Sequence, residues 1–86
     1  MSAQQGFALV QYAFGHLYMQ GHGVPQDYMI AAEWYRKAAE QELEEAQYNL
    51  AGLYTLGEGV PRSGATAADW YYKAGLGYLK RGNKDK

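Results

Sequence analysis

The sequence predicts an all-α fold: an α/α solenoid of two antiparallel helix hairpins, followed by a C-terminal helix or helix extension. The first observation behind it is a repeat. Gly21-His22-Gly23-Val24-Pro25 returns as Gly57-Glu58-Gly59-Val60-Pro61, and Trp34-Tyr35 returns as Trp70-Tyr71, each 36 residues later. Laying residues 3–38 over 39–74 gives 16 identities in 36 positions, where chance gives roughly two or three, and that period is in the range of stacked helical hairpins. The second is apolar spacing of three and four residues on either side of each Gly-rich turn.

The first helix is expected over about Ala3 to Gln20, where Val10, Phe14, Leu17 and Tyr18 form an apolar stripe with Gln4, Gln5, Gln11 and Gln20 interspersed. Gly21 and Gly23 stop it and turn the chain, Val24 plugs the bottom of the hairpin and Pro25 cannot continue a helix. Asp27 is a natural N-cap for a second helix to about Glu40, which packs through Ala31, Ala32, Trp34, Tyr35 and Ala38. From about Leu43 the pattern restarts, with Ala46, Leu50, Leu53 and Tyr54 at the spacing of the first stripe. Gly57 and Gly59 make the second turn, Ser63 caps in place of Asp27, and the fourth helix carries Ala67, Ala68, Trp70, Tyr71 and Ala74. Gly75 and Gly77 then either break this helix or only weaken it, at about 1 kcal/mol each against Ala. Residues 1–86 thus read as a single repeat domain: unit 1 about 3–38, unit 2 about 39–74, and a helical extension with a fraying polar tail over 75–86.

Composition narrows the function. A chain of 86 residues holds one domain with a thin core, burying about 60% of its unfolded surface. The formal charge of −1 with 20% charged residues gives no basic field for a nucleic-acid backbone or an anionic membrane. With no cysteine there is no disulfide framework, thiolate zinc site or cysteine nucleophile. Met1-Ser2-Ala3-Gln4-Gln5 shows no basic or apolar leader pattern. The expectation is a soluble cytoplasmic protein that uses no cofactor.

No catalytic constellation can be named, so the chain is not expected to be an enzyme. His16 and His22, the only histidines, stand on a helix and in a turn, and His16 has no ligand-type residue at helical spacing. Glu40, Glu42, Glu44 and Glu45 straddle a helix junction, where acidic residues favour the N-terminus of the next helix. The Gly-rich turns lack the Lys and Ser/Thr of a phosphate-binding loop.

Aromatic residues make up 15% of the chain, and Tyr and Trp carry much of the energy at interfaces. Most recur at repeat positions and are assigned to packing. Trp34 and Trp70 are expected in equivalent, largely buried sites, with Trp34 the more enclosed because it closes against the following unit. Tyr12, His16, Met19, Tyr48, Asn49 and Thr55 fall on the face of the first and third helices that points away from their partners. In a stacked array that face lines a concave groove. It is either a solvated face or a seat for a partner peptide.

Tyr48-Asn49-Leu50, Leu53-Tyr54 and Gly57-Glu58-Gly59-Val60-Pro61, with Gly21 to Val24, Asp27, Ala31, Trp34-Tyr35 and Lys37-Ala38-Ala39 in the first unit, resemble the Sel-one-like repeat, a tetratricopeptide-class α/α repeat. The resemblance covers about residues 3–74. It implies helix pairs stacked in a right-handed superhelix that binds a protein or peptide partner. The family usually has glycine where Glu42 and Ala51 stand. Its cysteine-rich members have been linked to β-lactam binding, and the absence of cysteine separates this chain from them. Gly75, Tyr78 and Gly82 follow the spacing of a tetratricopeptide first helix, which would make Ala67 to Arg81 one long helix and leave a third unit unfinished.

From that unfinished unit comes an alternative role in assembly. Trp70, Tyr71, Leu76, Tyr78 and Leu79 place more apolar surface near the end of the chain than one hairpin can cover. A homodimer in which this helix pairs across a two-fold axis is the simplest way to cover it.

Overall fold

In the computed structural model, residues 3–84 are described, with side chains for residues 6–82; Asp85 and Lys86, the end of the expected fraying tail, lie outside them. Four helices follow one another: α1 (Ala3–Gln20), α2 (Tyr28–Glu40), α3 (Glu44–Leu56) and α4 (Gly64–Lys84). Each packs on its neighbour in sequence, α1 on α2, α2 on α3 and α3 on α4.

Local chemistry sets the boundaries. The Asp27 carboxylate accepts from the backbone N–H of Met29 and Ile30 at 3.0 and 3.1 Å, and the Ser63 hydroxyl accepts from that of Thr66 at 3.1 Å, so both expected N-caps form. Both hairpin turns use left-handed glycines, Gly21 and Gly57 at φ 73° and 71°. Between the units, α2 ends with Glu42 at φ 64°, the place where a glycine was expected from the resemblance. Its N–H bonds the Ala39 carbonyl and that of Leu43 the Ala38 carbonyl, a Schellman closure that satisfies two end carbonyls.

The core runs along the α2–α3 seam. It comprises Ala31, Ala32, Tyr35, Ala38 and Ala39 of α2, with Ala46, Leu50 and Leu53 of α3 and Ala8 of α1. Tyr35 lies across it, so close to Gly15 that a Cβ there would stand 2.8 Å from the ring. The buried amides Gln11 and Gln47 brace the junction: Gln47 Nε2 donates to the Ala39 carbonyl at 3.1 Å, and Gln11 Oε1 accepts from the Gln41 side chain. Among the described residues no helix is long and apolar enough to cross a membrane.

Two expectations change, and the alternative left open at Gly75 and Gly77 resolves to a continuous helix. Val10 and Phe14 are 51% and 42% exposed, whereas their equivalents Ala46 and Leu50 are fully buried, because α3 lies between α2 and α4 while α1 packs chiefly on α2. Trp34 and Trp70 are equivalent but only half-buried, each with a lysine ammonium 4.6 Å from its ring centre. Trp34 turns onto Phe14 of its own unit, ring centres 5.0 Å apart, and Tyr35 instead of Trp34 closes against unit 2. Gly75 and Gly77 do not break α4, which runs unbroken for 21 residues from Gly64 to Lys84. Gly77 allows this helix to lie on Glu44, whose side chain would be 2.3 Å from a Cβ. One turn further, Arg81 bonds the carboxylates of Glu44 at 2.9 Å and Glu45 at 3.4 Å.

Candidate functional site

A repeat sets its surface residues in register, and here it produces a tyrosine ladder. Tyr12 lies 5.5 Å from Tyr35 between ring centres, and their equivalents Tyr48 and Tyr71 lie 5.3 Å apart, edge to face. Asn49 joins the units by donating from Nδ2 to the Tyr12 hydroxyl at 3.1 Å. Burial raises the pKa of the Tyr35 phenol, and its hydrogen bond with Asn49 opposes part of that rise.

Beside the ladder, α1 and α3 enclose an open groove of about 290 Å³. Four of the six residues expected to bind a partner line it: His16, Met19, Tyr48 and Asn49. The other two do not. Tyr12 is half-buried at the margin, held between Tyr35 and His16, and the Thr55 hydroxyl is occupied by the Ala51 carbonyl at 2.9 Å. Gln20, Gly52, Leu56 and Glu58 also line the groove and were not anticipated. Leu56 is 67% exposed and Tyr48 55%. The signal for Leu56 is its place at the last position of α3, immediately before the left-handed Gly57.

A larger hollow of about 970 Å³ opens around the α2–α3 turn, where Glu40, Glu42 and Glu45 face Lys73, Lys80 and Arg81 of α4. Its charges are mixed and the carboxylates lie in solvent or on Arg81, so it holds no paired acid and base. Among the described residues no three His, Cys, Asp or Glu side chains gather to hold a metal.

On α4, four of the five residues expected to mediate self-association are exposed: Tyr71, Leu76, Tyr78 and Leu79 at 38%, 41%, 43% and 65%. Trp70 is not among them, since it packs inward on the core. Tyr72, 68% exposed, takes its place on the outer face. The Arg81 guanidinium lies 5.8 Å from the ring centre of Tyr78.

Comparison with known proteins gives these surfaces a context. The Sel1 repeat profile matches residues 7–43 and 44–81. The structure is similar to that of c5321, a protective antigen in uropathogenic Escherichia coli strains displaying an SLR fold, at 43% identity and a TM-score of 0.81 over 86% of this chain. It is also similar to a Sel1 repeat protein from Oxalobacter formigenes, at 42% identity and a TM-score of 0.78 over 84% of this chain. The chain spans 16% and 29% of these two proteins. No curated protein matches it. Sel1 repeats are generally protein–protein interaction modules. With two units in register along nearly its whole described length, the chain belongs to the Sel1 repeat family.

Proposed function

We propose that this chain is a non-enzymatic interaction module that seats a segment of a partner protein in the groove between α1 and α3. One observation carries the reading: the groove sets the exposed Tyr48 and Leu56 beside His16 and Met19, an apolar and aromatic strip bordered by the polar Asn49, Gln20 and Glu58. An exposed tyrosine on a rigid helix offers contact area at little entropic cost, interface energy concentrates in such aromatic anchors, and Leu56 adds apolar area beside it. The partner is a protein or peptide, since the net charge of −1 gives no field for nucleic acid.

The test is to select peptides on the whole chain from a displayed library and titrate the tightest against wild type and a Tyr48→Ala, Leu56→Ala variant by calorimetry. Loss of two anchors should weaken binding at least about tenfold. Undiminished affinity would remove the groove from the function.

A second reading has its own observation. Tyr71, Tyr72, Leu76, Tyr78 and Leu79 form an apolar surface on α4, which favours an assembly role through self-association.

A further inference from the structure

Resting on the second reading, we infer that copies of this chain associate head to tail, the outer face of α4 on one copy receiving the outer face of α1 on the next, as α2 receives α3 within each copy. The repeat itself identifies the two faces. On α2, Ala32, Tyr35 and Ala39 are 3%, 1% and 1% exposed under α3, and Arg36 beside them donates to the Tyr54 hydroxyl. Their equivalents on α4, Ala68, Tyr71, Gly75 and Tyr72, are all exposed. On α3, Ala46 and Leu50 are fully buried, and Leu43, just before the helix, packs on the same core. Their equivalents on α1, Val10, Phe14 and Phe7, are 51%, 42% and 60% exposed.

Each face is therefore one half of an interface whose complete form lies at the centre of the molecule. The sizes also compensate. The α4 seat has glycine at 75 where α2 has Ala39, with nothing within 4 Å of where a Cβ would stand, and α1 brings Val10 and Phe14 where α3 brings Ala46 and Leu50. A bulkier helix meets a more open seat, which keeps the volume filled. Two hydrogen bonds are not reproduced: α1 has Ala13 where Asn49 reaches back to Tyr12, and α4 has Tyr72 where Arg36 donates to Tyr54. The contact between copies is accordingly weaker than the one within each copy.

A two-fold dimer through α4 would leave the α1 face bare, whereas a head-to-tail contact uses both faces and repeats without closing. The two arrangements separate in a mixing experiment with the whole chain. Phe7→Lys with Val10→Lys blocks the head, and Tyr72→Lys with Leu79→Lys blocks the tail; all four side chains are at least half exposed, and helix content by circular dichroism verifies each fold. In sedimentation equilibrium, wild type should grow in mean mass beyond the dimer as concentration rises. Each blocked variant alone should be a monomer, and an equimolar mixture should form a one-to-one dimer, because one intact head meets one intact tail. A head-blocked variant that still dimerises would overturn the head-to-tail arrangement while leaving self-association through α4 standing. Wild type that stays monomeric at high micromolar concentration would overturn both.

A second measurement does not depend on the lysine variants. Since the chain has no cysteine, Val10→Cys with Gly75→Cys should oxidise to a ladder of linked multimers. Products no longer than dimers would contradict the inference.

Discussion

Gly59 and Gly23 hold the same place in the two hairpin turns, with φ of 77° and 79°, yet their surroundings differ. A Cβ on Gly59 would stand 2.3 Å from the Tyr28 carbonyl oxygen, while nothing lies within 4 Å of the same position on Gly23. Alanine at Gly23 meets only left-handed strain, about 1–2 kcal/mol. At Gly59 it must also push the second turn off the start of α2. Gly59→Ala should therefore cost at least about 1 kcal/mol more than Gly23→Ala in urea denaturation, and equal losses would show that the turn does not bear on α2. Glu42 presents the reverse case, a side chain in the left-handed region at φ 64°. Glu42→Gly should raise stability by up to about 1 kcal/mol, the relieved strain exceeding the added freedom of the unfolded chain; a decrease in the denaturation midpoint would contradict this. The resemblance alone pointed to this position, since the family usually has glycine there. Gln11 and Gln47 were not legible in the same way, because a glutamine reads as surface until the carbonyl or amide it meets is located.

At the scale of helices, periodicity made all four elements and both caps legible, since caps and turns are local chemistry. What covers each face was not legible. The stripe of Val10 and Phe14 has the spacing of a core face, but spacing cannot say whether a helix lies upon it. Trp34 and Tyr35 are adjacent and both aromatic, and which one turns inward depends on Gly15, whose lack of a side chain makes room for the Tyr35 ring. The repeat converts this into a controlled comparison. Tyr35 and Tyr71 are equivalent, 1% and 38% exposed. Tyr35→Ala should cost about 3–5 kcal/mol, as for emptying a core aromatic site, and should unfold much of so small a domain. Tyr71→Ala should cost less than half as much. Equal costs would mean that unit 2 does not close on unit 1 through Tyr35. The Tyr35 phenol adds a pH signature. Its raised folded pKa means that the folded state holds its proton longer than the unfolded state. Stability from this group is complete below the unfolded value of about 10 and is lost as pH rises from there through the folded value. Tyr35→Phe should flatten that alkaline decline, and an unchanged slope would assign it elsewhere.

Over the whole molecule, the same two-helix unit provides an interior seam, a groove on one side and two bare end faces. The groove was partly legible: helical spacing located His16, Met19, Tyr48 and Asn49, because residues of the first and third helices that point away from their partners must share a side. Leu56 and Glu58 were not, since they reach the groove only through the direction in which the second turn leaves α3. Thr55 does not line the groove, and its hydroxyl donates to the Ala51 carbonyl one turn back. The central claim is that a partner segment binds this groove and not the face of α4, and amide chemical-shift mapping tests it most directly. When the isotope-labelled chain is titrated with its selected peptide, the largest shifts should fall on His16, Met19, Tyr48, Asn49, Gly52 and Leu56, with Tyr72 and Leu79 unmoved. Shifts concentrated on Tyr72, Leu76 and Leu79, with the groove silent, would contradict it.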